Sequence, residues 1–280
     1  MSEAAVTNRT HRGPILPGVA PLMRFASWIA PFAVLVLCVL LWEAAVRLFK
    51  IPVYMLPPPS AIIQEMVEKR QFFIGHALHT SAAILLGFIF AVLVGVPMAT
   101  LMVYSARVSR LIQPMLITAQ VLPKVALAPL FIVWFGFGLM PKVVMTFLIA
   151  FFPVVIDTLT GLLAVRPGSL MLIRSMGGSR WQSFWKVRLP TALPSMFAGF
   201  KVAMTFAVVG AIVAEFVAAD SGLGYVLVEA RGTLNMVTVF ASITWLVLLG
   251  FAFYYIVEGL ERVLMKGRRH GAVHELGAGM

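Results

Sequence analysis

The chain has 280 residues, of which 61% are hydrophobic and 12% charged, against about 45–50% and about 25% in an ordinary soluble domain. With a mean hydropathy of +0.96, it is neither a soluble globular enzyme nor a disordered chain. At roughly 20 residues per crossing the apolar fraction allows about eight membrane spans at most, and turns and interfacial segments lower this to five or six.

The net charge of +11 is read as membrane sidedness rather than nucleic-acid binding; no nucleic acid is expected as a partner. Cys38 is the single cysteine, which excludes a disulfide framework and a cysteine metal cluster. The five histidines include no His-Glu-x-x-His pair, and no Gly-Lys dipeptide occurs, so a phosphate loop is absent. No cofactor and no catalytic residue are expected. If ATP is used, another chain must bind it.

Residues 1–21 form a polar tail with Arg9 and Arg12. The first span runs from about Phe25 to Phe49, too long for a signal-peptide core, and is read as uncleaved. Ile51–Pro59 is proline-rich and irregular. Ser60 to Phe73 then has Ile62, Ile63, Met66 and Val67 on one helical face and Gln64, Glu65, Glu68 and Lys69 on the other, which predicts an amphipathic helix at the membrane surface or packed on protein. The second span is predicted from His76 to Tyr104, the third from Leu111 to Phe135 with an interruption at Pro123, and the fourth from Val143 to Ala164. The fifth runs from Pro194 to Val217 and the sixth from Val237 to Leu264, before a basic tail at 266–280.

With the amino terminus in the cytoplasm, fourteen basic residues fall on the inner side and six on the outer, while Lys124 and Lys201 lie inside spans. That asymmetry predicts six spans with both termini cytoplasmic. Lys124, Asp157, Lys201 and Glu215 are the candidate pathway or intramembrane charges, each costing about 2.5–3.5 kcal/mol in the apolar layer on insertion scales. Asp157 and Lys201 are expected at equal depth from the same side, which suggests a pair between spans four and five.

The longest cytoplasmic connection covers residues 166–193. Pro167 can open a first short helix and Gly177-Gly178 can end it. Ser179 with Gln182 three residues on forms a capping box for a second helix. Trp181, Phe184 and Trp185 share one face, with Arg180, Gln182, Ser183 and Lys186 around it, and Pro190 is expected to end the helix. Such an aromatic face must rest on headgroups or on another protein.

Gly177, nine intervening residues, then Val187-x-Leu189-Pro190 resembles the Glu-Ala-Ala-x3-Gly-x9-Ile-x-Leu-Pro signature of permease subunits of binding-protein-dependent ABC importers. The match departs at its front, where Met171, Leu172 and Ile173 stand at the Glu-Ala-Ala positions. Leu122-Pro-Lys-Val-Ala-Leu-Ala-Pro-Leu130, Trp134-Phe-Gly-Phe-Gly138, Phe151-Phe-Pro153, Ala214-Glu-Phe216 and Gly222-Leu-Gly-Tyr225 are similar to the nitrate/sulfonate/taurine-type branch, over roughly residues 30 to 265. The resemblance implies an all-α, type I permease-like bundle in residues 22–265, working as a homodimer in the cytoplasmic (inner) membrane. It implies cytoplasmic ABC ATPase subunits docking on a coupling helix, at Gly177, Gly178, Ser179, Arg180, Trp181, Phe184, Trp185, Leu189 and Pro190. An extracytoplasmic solute-binding protein would deliver a small polar solute, nitrate/sulfonate/taurine-like or a pyrimidine or vitamin precursor, and membrane lipid would surround the bundle. A self-sufficient secondary transporter or an intramembrane enzyme is the competing reading, and it would work without partner subunits.

Overall fold

The computed structural model describes residues 20–218 and 220–265, all of whose regular elements are helical. The carboxyl-terminal tail, and the amino-terminal tail apart from its last two residues, lie outside the described residues. So do Arg9, Arg12, Lys266, Arg268 and Arg269, which enter the sidedness count. The chain divides into two units, one ending at Ala61 and one beginning at Ile62.

In the first unit α1 (Ala20–Leu48) contains the uncharged run from Phe25 to Trp42 read as the first span. The Glu43 carboxylate near its end accepts hydrogen bonds from Arg47 Nε at 2.5 Å, the Ser60 N–H at 3.0 Å and the Ser60 hydroxyl at 2.8 Å. These bonds close the proline-rich connection and lead into α2 (Pro59–Glu68).

The second unit continues with α3 (Arg70–Tyr104), α4 (Ala106–Val121), α5 (Ala128–Phe135) and α6 (Leu139–Leu163). Then come α7 (Pro167–Ser175), α8 (Arg180–Ser183), α9 (Leu189–Ala218), α10 (Leu223–Gly232) and α11 (Met236–Leu264). Among the described residues α3, α6, the continuous run Arg180–Val217 and α11 are long and apolar enough to cross a membrane. The expected third span is a bent pair: α4 and the segment Lys124–Phe135 meet at 85°. Pro123 lies at that break; it has no N–H to continue the ladder and pushes the residue before it away from helical geometry.

α3, α6 and α9 form the core. On α3 the residues Ala83, Gly87, Ala91, Gly95 and Ala99 recur every fourth position, and on α9 Gly199, Ala203, Ala207 and Ala211 do the same. The alanines of both rows are completely buried. A Cβ on Gly87 or on Gly210 would press into Thr146 of α6, and one on Gly161 would meet the Ala192 carbonyl at 2.8 Å. In lipid, where there is no hydrophobic drive between helices, such small residues let backbones approach and gain dispersion contacts.

Two expectations are corrected. Pro190 does not end the aromatic helix. A π-helical turn at Phe184–Arg188 leads straight into α9, and the Leu189 N–H bonds back to the Phe184 carbonyl. Pro190 therefore lies inside a continuous helical run, where the π-helical turn before it accommodates the missing N–H. Nor do Asp157 and Lys201 pair: Lys201 donates to Glu261 of α11 at 2.8 Å. Lys201→Met and Glu261→Gln should each lower thermal stability by about 1–3 kcal/mol, because each leaves a partly buried group without its partner. The double variant should recover part of the loss in a double-mutant cycle of unfolding midpoints, and strictly additive losses would mean that the pair contributes nothing.

Candidate functional site

The 166–193 loop is built from local chemistry. Pro167 occupies the first turn of α7. Gly177 takes φ +77°, its N–H reaches the Arg174 carbonyl at 3.0 Å, and the Gly178 N–H reaches the Ile173 carbonyl at 2.8 Å. These bonds satisfy carbonyls left over at the helix end. Gly177 is open around its missing Cβ, whereas a Cβ on Gly178 would run into Ile173. The first glycine is thus required by its backbone angle and the second by space. The predicted capping box is present: the Gln182 N–H donates to Ser179 Oγ at 3.2 Å, and the Ser179 N–H donates to Gln182 Oε1 at 2.8 Å.

The aromatic residues divide. Trp181 and Trp185 are 69% and 50% exposed, their ring centroids 5.4 Å apart. Phe184 turns inward instead, packing on Leu162, Ala192 and Met196, with its ring 6.3 Å from that of Tyr104. Ser183, expected on the polar side, is buried and donates to the Ser179 carbonyl at 3.1 Å. Met171 and Leu172 of α7 and Met176 just beyond its end are also exposed, so residues 171–185 present an apolar surface on a basic segment. Arg188 anchors it from below, donating to the Leu162 carbonyl at 2.9 Å with its guanidinium 5.6 Å from the Tyr104 ring. A cavity of about 390 Å³ lies between this loop and the end of α3, with Arg174, Arg180 and Arg188 on its walls and no acidic residue.

At the far end of α9, Glu215 is 1% exposed. Its carboxylate accepts from Thr80 Oγ1 at 2.9 and 3.2 Å and from the Gly224 N–H at 2.7 Å. The Leu223 N–H donates to Thr80 Oγ1 at 2.9 Å, the Gly222 N–H to His76 Nδ1 at 3.1 Å, and Lys142 Nζ to the Ser221 carbonyl at 2.7 Å. The Ser221-Gly-Leu-Gly-Tyr225 segment is thus latched to α3, α6 and α9. Beside it the Ser221 hydroxyl, donating to Asp220 Oδ1 at 3.0 Å, is the main cause that holds the Asp220 carboxyl below the usual carboxylate range, and Lys142 adds to it. His76, Thr80 and Lys142 were not among the sequence candidates, for their role depends on partners up to 146 positions away.

Of the four candidate charges, Lys201 is paired with Glu261 and Glu215 is held in the latch. Lys124 and Asp157 line one cavity of about 410 Å³.

A family model described as "Binding-protein-dependent transport system inner membrane component" matches residues 83–266. The chain belongs to that family. It is 32% identical over 240 residues to the formylaminopyrimidine transport permease protein ThiX of Halalkalibacterium halodurans, covering 85% of this chain and 96% of that one. It is 30% identical over 236 residues to the taurine transport system permease protein TauC of Escherichia coli, covering 82% and 86%. Its fold matches a chain from an inward-facing structure of the MetNI methionine ABC transporter with a TM-score of 0.63 at 19% identity, over 70% of this chain and 97% of that one. This permease is the multi-pass membrane subunit of an ATP-driven importer, not an enzyme itself; ATP hydrolysis belongs to a separate subunit.

Proposed function

We propose that residues 166–193 are the surface on which a cytoplasmic ATPase docks, and that residues 22–265 of two identical copies enclose the solute pathway. The observation that carries the docking is the exposed cluster of Met171, Leu172, Met176, Trp181 and Trp185 on a connection with no acidic residue between Arg166 and Leu193. An apolar patch rimmed by charge marks a protein interface, and a basic rim suits a groove with acidic edges. The front of the loop has no glutamate, so its polar contacts come from arginines. A second copy has room on the face of α4 that exposes Leu111, Met115, Ile117 and Val121. Tails 1–21 and 266–280 lie on the cytoplasmic side, and a solute-binding protein feeds the opposite face. The solute is small and polar, nitrate/sulfonate/taurine-like or a pyrimidine or vitamin precursor; the formylaminopyrimidine and taurine transport of the relatives ThiX and TauC supports this range.

ATP binding closes the ATPases, moves the loops and switches the pathway between its two openings, since a packed bundle shifts between discrete states. The purified chain alone should hydrolyse no ATP. With its ATPase, a loaded binding protein should raise hydrolysis several-fold, whereas solute uptake by the chain alone would favour a secondary transporter. Met176 is exposed, so Met176→Cys in a Cys38→Ala background should label with an impermeant maleimide only from the cytoplasmic side. Labelling from outside intact cells would reverse the topology.

A further inference from the structure

Lys124 and Asp157 are treated differently from the other charges of the bundle. Lys201 is ion-paired with Glu261, and the Glu215 carboxylate is bonded by Thr80 and the Gly224 N–H. Among the described residues Asp157 has neither a hydrogen bond nor an ion pair, and no ion pair reaches Lys124. Lys124 Nζ makes one hydrogen bond, to the Gln120 carbonyl at 3.2 Å, and lies 4.7 Å from the centroid of the Phe152 ring. An ammonium has three donors, so further donors remain for another acceptor.

Both side chains line the same cavity of about 410 Å³ at the break between α4 and α5, walled by Gln120, Phe152, Ile156 and Phe206. Pro153 also lines it and has no N–H to return to the Ile149 carbonyl. Gly199 faces Asp157 so closely that a Cβ there would overlap the aspartate side chain. Solute sites inside a membrane are commonly formed where helices are discontinuous, and ionisable groups within a span point to function. The volume lies in the lower part of the range of about 300–1,000 Å³ for small-molecule pockets.

We infer that this cavity is a solute site for small zwitterions, with the anionic group on Lys124, the ammonium on Asp157 and the aliphatic middle against Phe152 and Phe206. A simple anion would meet the Asp157 carboxylate and a simple cation would meet Lys124, so a solute carrying both charges is favoured over either. The inference rests on the reading of the bundle as the solute pathway.

The test uses the permease assembled with its ATPase in nanodiscs, without a binding protein. Saturation-transfer NMR would measure binding of taurine, methanesulfonate and ethylammonium. Taurine should bind at least several-fold more tightly than either singly charged probe. Lys124→Gln should weaken taurine about tenfold and improve ethylammonium, Asp157→Asn should weaken taurine and improve methanesulfonate, and Lys124→Arg should retain taurine. A destabilised variant leaves the probe preference of the wild type as the deciding result. No preference for taurine in the wild type, or identical selectivity in the two neutralised variants, would overturn the site. ATP hydrolysis by the same wild-type assembly reports on the docking reading separately, so the two can fail independently.

Discussion

Gly222→Ala should destabilise the permease by about 2–6 kcal/mol, as a loss of thermal stability and of folded yield in detergent. Gly222 has φ +111°, where a side chain costs about 1–3 kcal/mol. The added Cβ would also overlap the Glu215 carboxylate. That carboxylate is buried and held by Thr80 and the Gly224 N–H, so pushing it aside leaves polar groups without partners, at about 1–3 kcal/mol each. The control is Gly250→Ala in α11, where the new Cβ meets only Val208 at 3.9 Å; that change should be neutral or slightly stabilising. Equal effects of the two would remove the latch from the account.

Gly177→Val acts without a clash, since nothing lies within 4 Å of its Cβ position. Its cost is conformational. The residue sits at φ +77°, a β-branched side chain is an outlier there, and the α7–α8 turn would rearrange. The spans are untouched, so membrane insertion should survive while ATP-driven uptake falls about tenfold or more. Gly177→Asn should retain most of the activity, because asparagine visits this backbone region. Uptake at the wild-type rate by the valine variant would show that the orientation of α8 does not matter to transport.

Local chemistry was legible in the sequence. The spans followed from apolar runs, the break at Pro123 from the missing N–H, and the loop from Gly177, Ser179 and Gln182 at their fixed spacings. Pro190 misled because the π-helical turn at Phe184–Arg188 carries the helix through it into α9, so the missing N–H is accommodated rather than ending the run. Depth placed Asp157 and Lys201 at one level, but depth says nothing about rotation around a helix axis, and Glu261 approaches from a third helix. The four-residue rows on α3 and α9 were present in the sequence. A hydropathy reading conceals them, since glycine and alanine vanish among larger apolar neighbours. The Glu215 latch was not readable at all, because its partner Thr80 is 135 positions away.

The central claim is that the exposed tryptophans of the loop meet the ATPase rather than lipid headgroups. Photocrosslinking in native membranes decides it, with a photoreactive amino acid in place of Trp185 and, as control, in place of Ile256, exposed on the α11 span. Irradiation should join position 185 to the ATPase subunit and should yield no such adduct from position 256. Adducts to lipid alone at position 185, in membranes where the two subunits co-purify, would contradict the account.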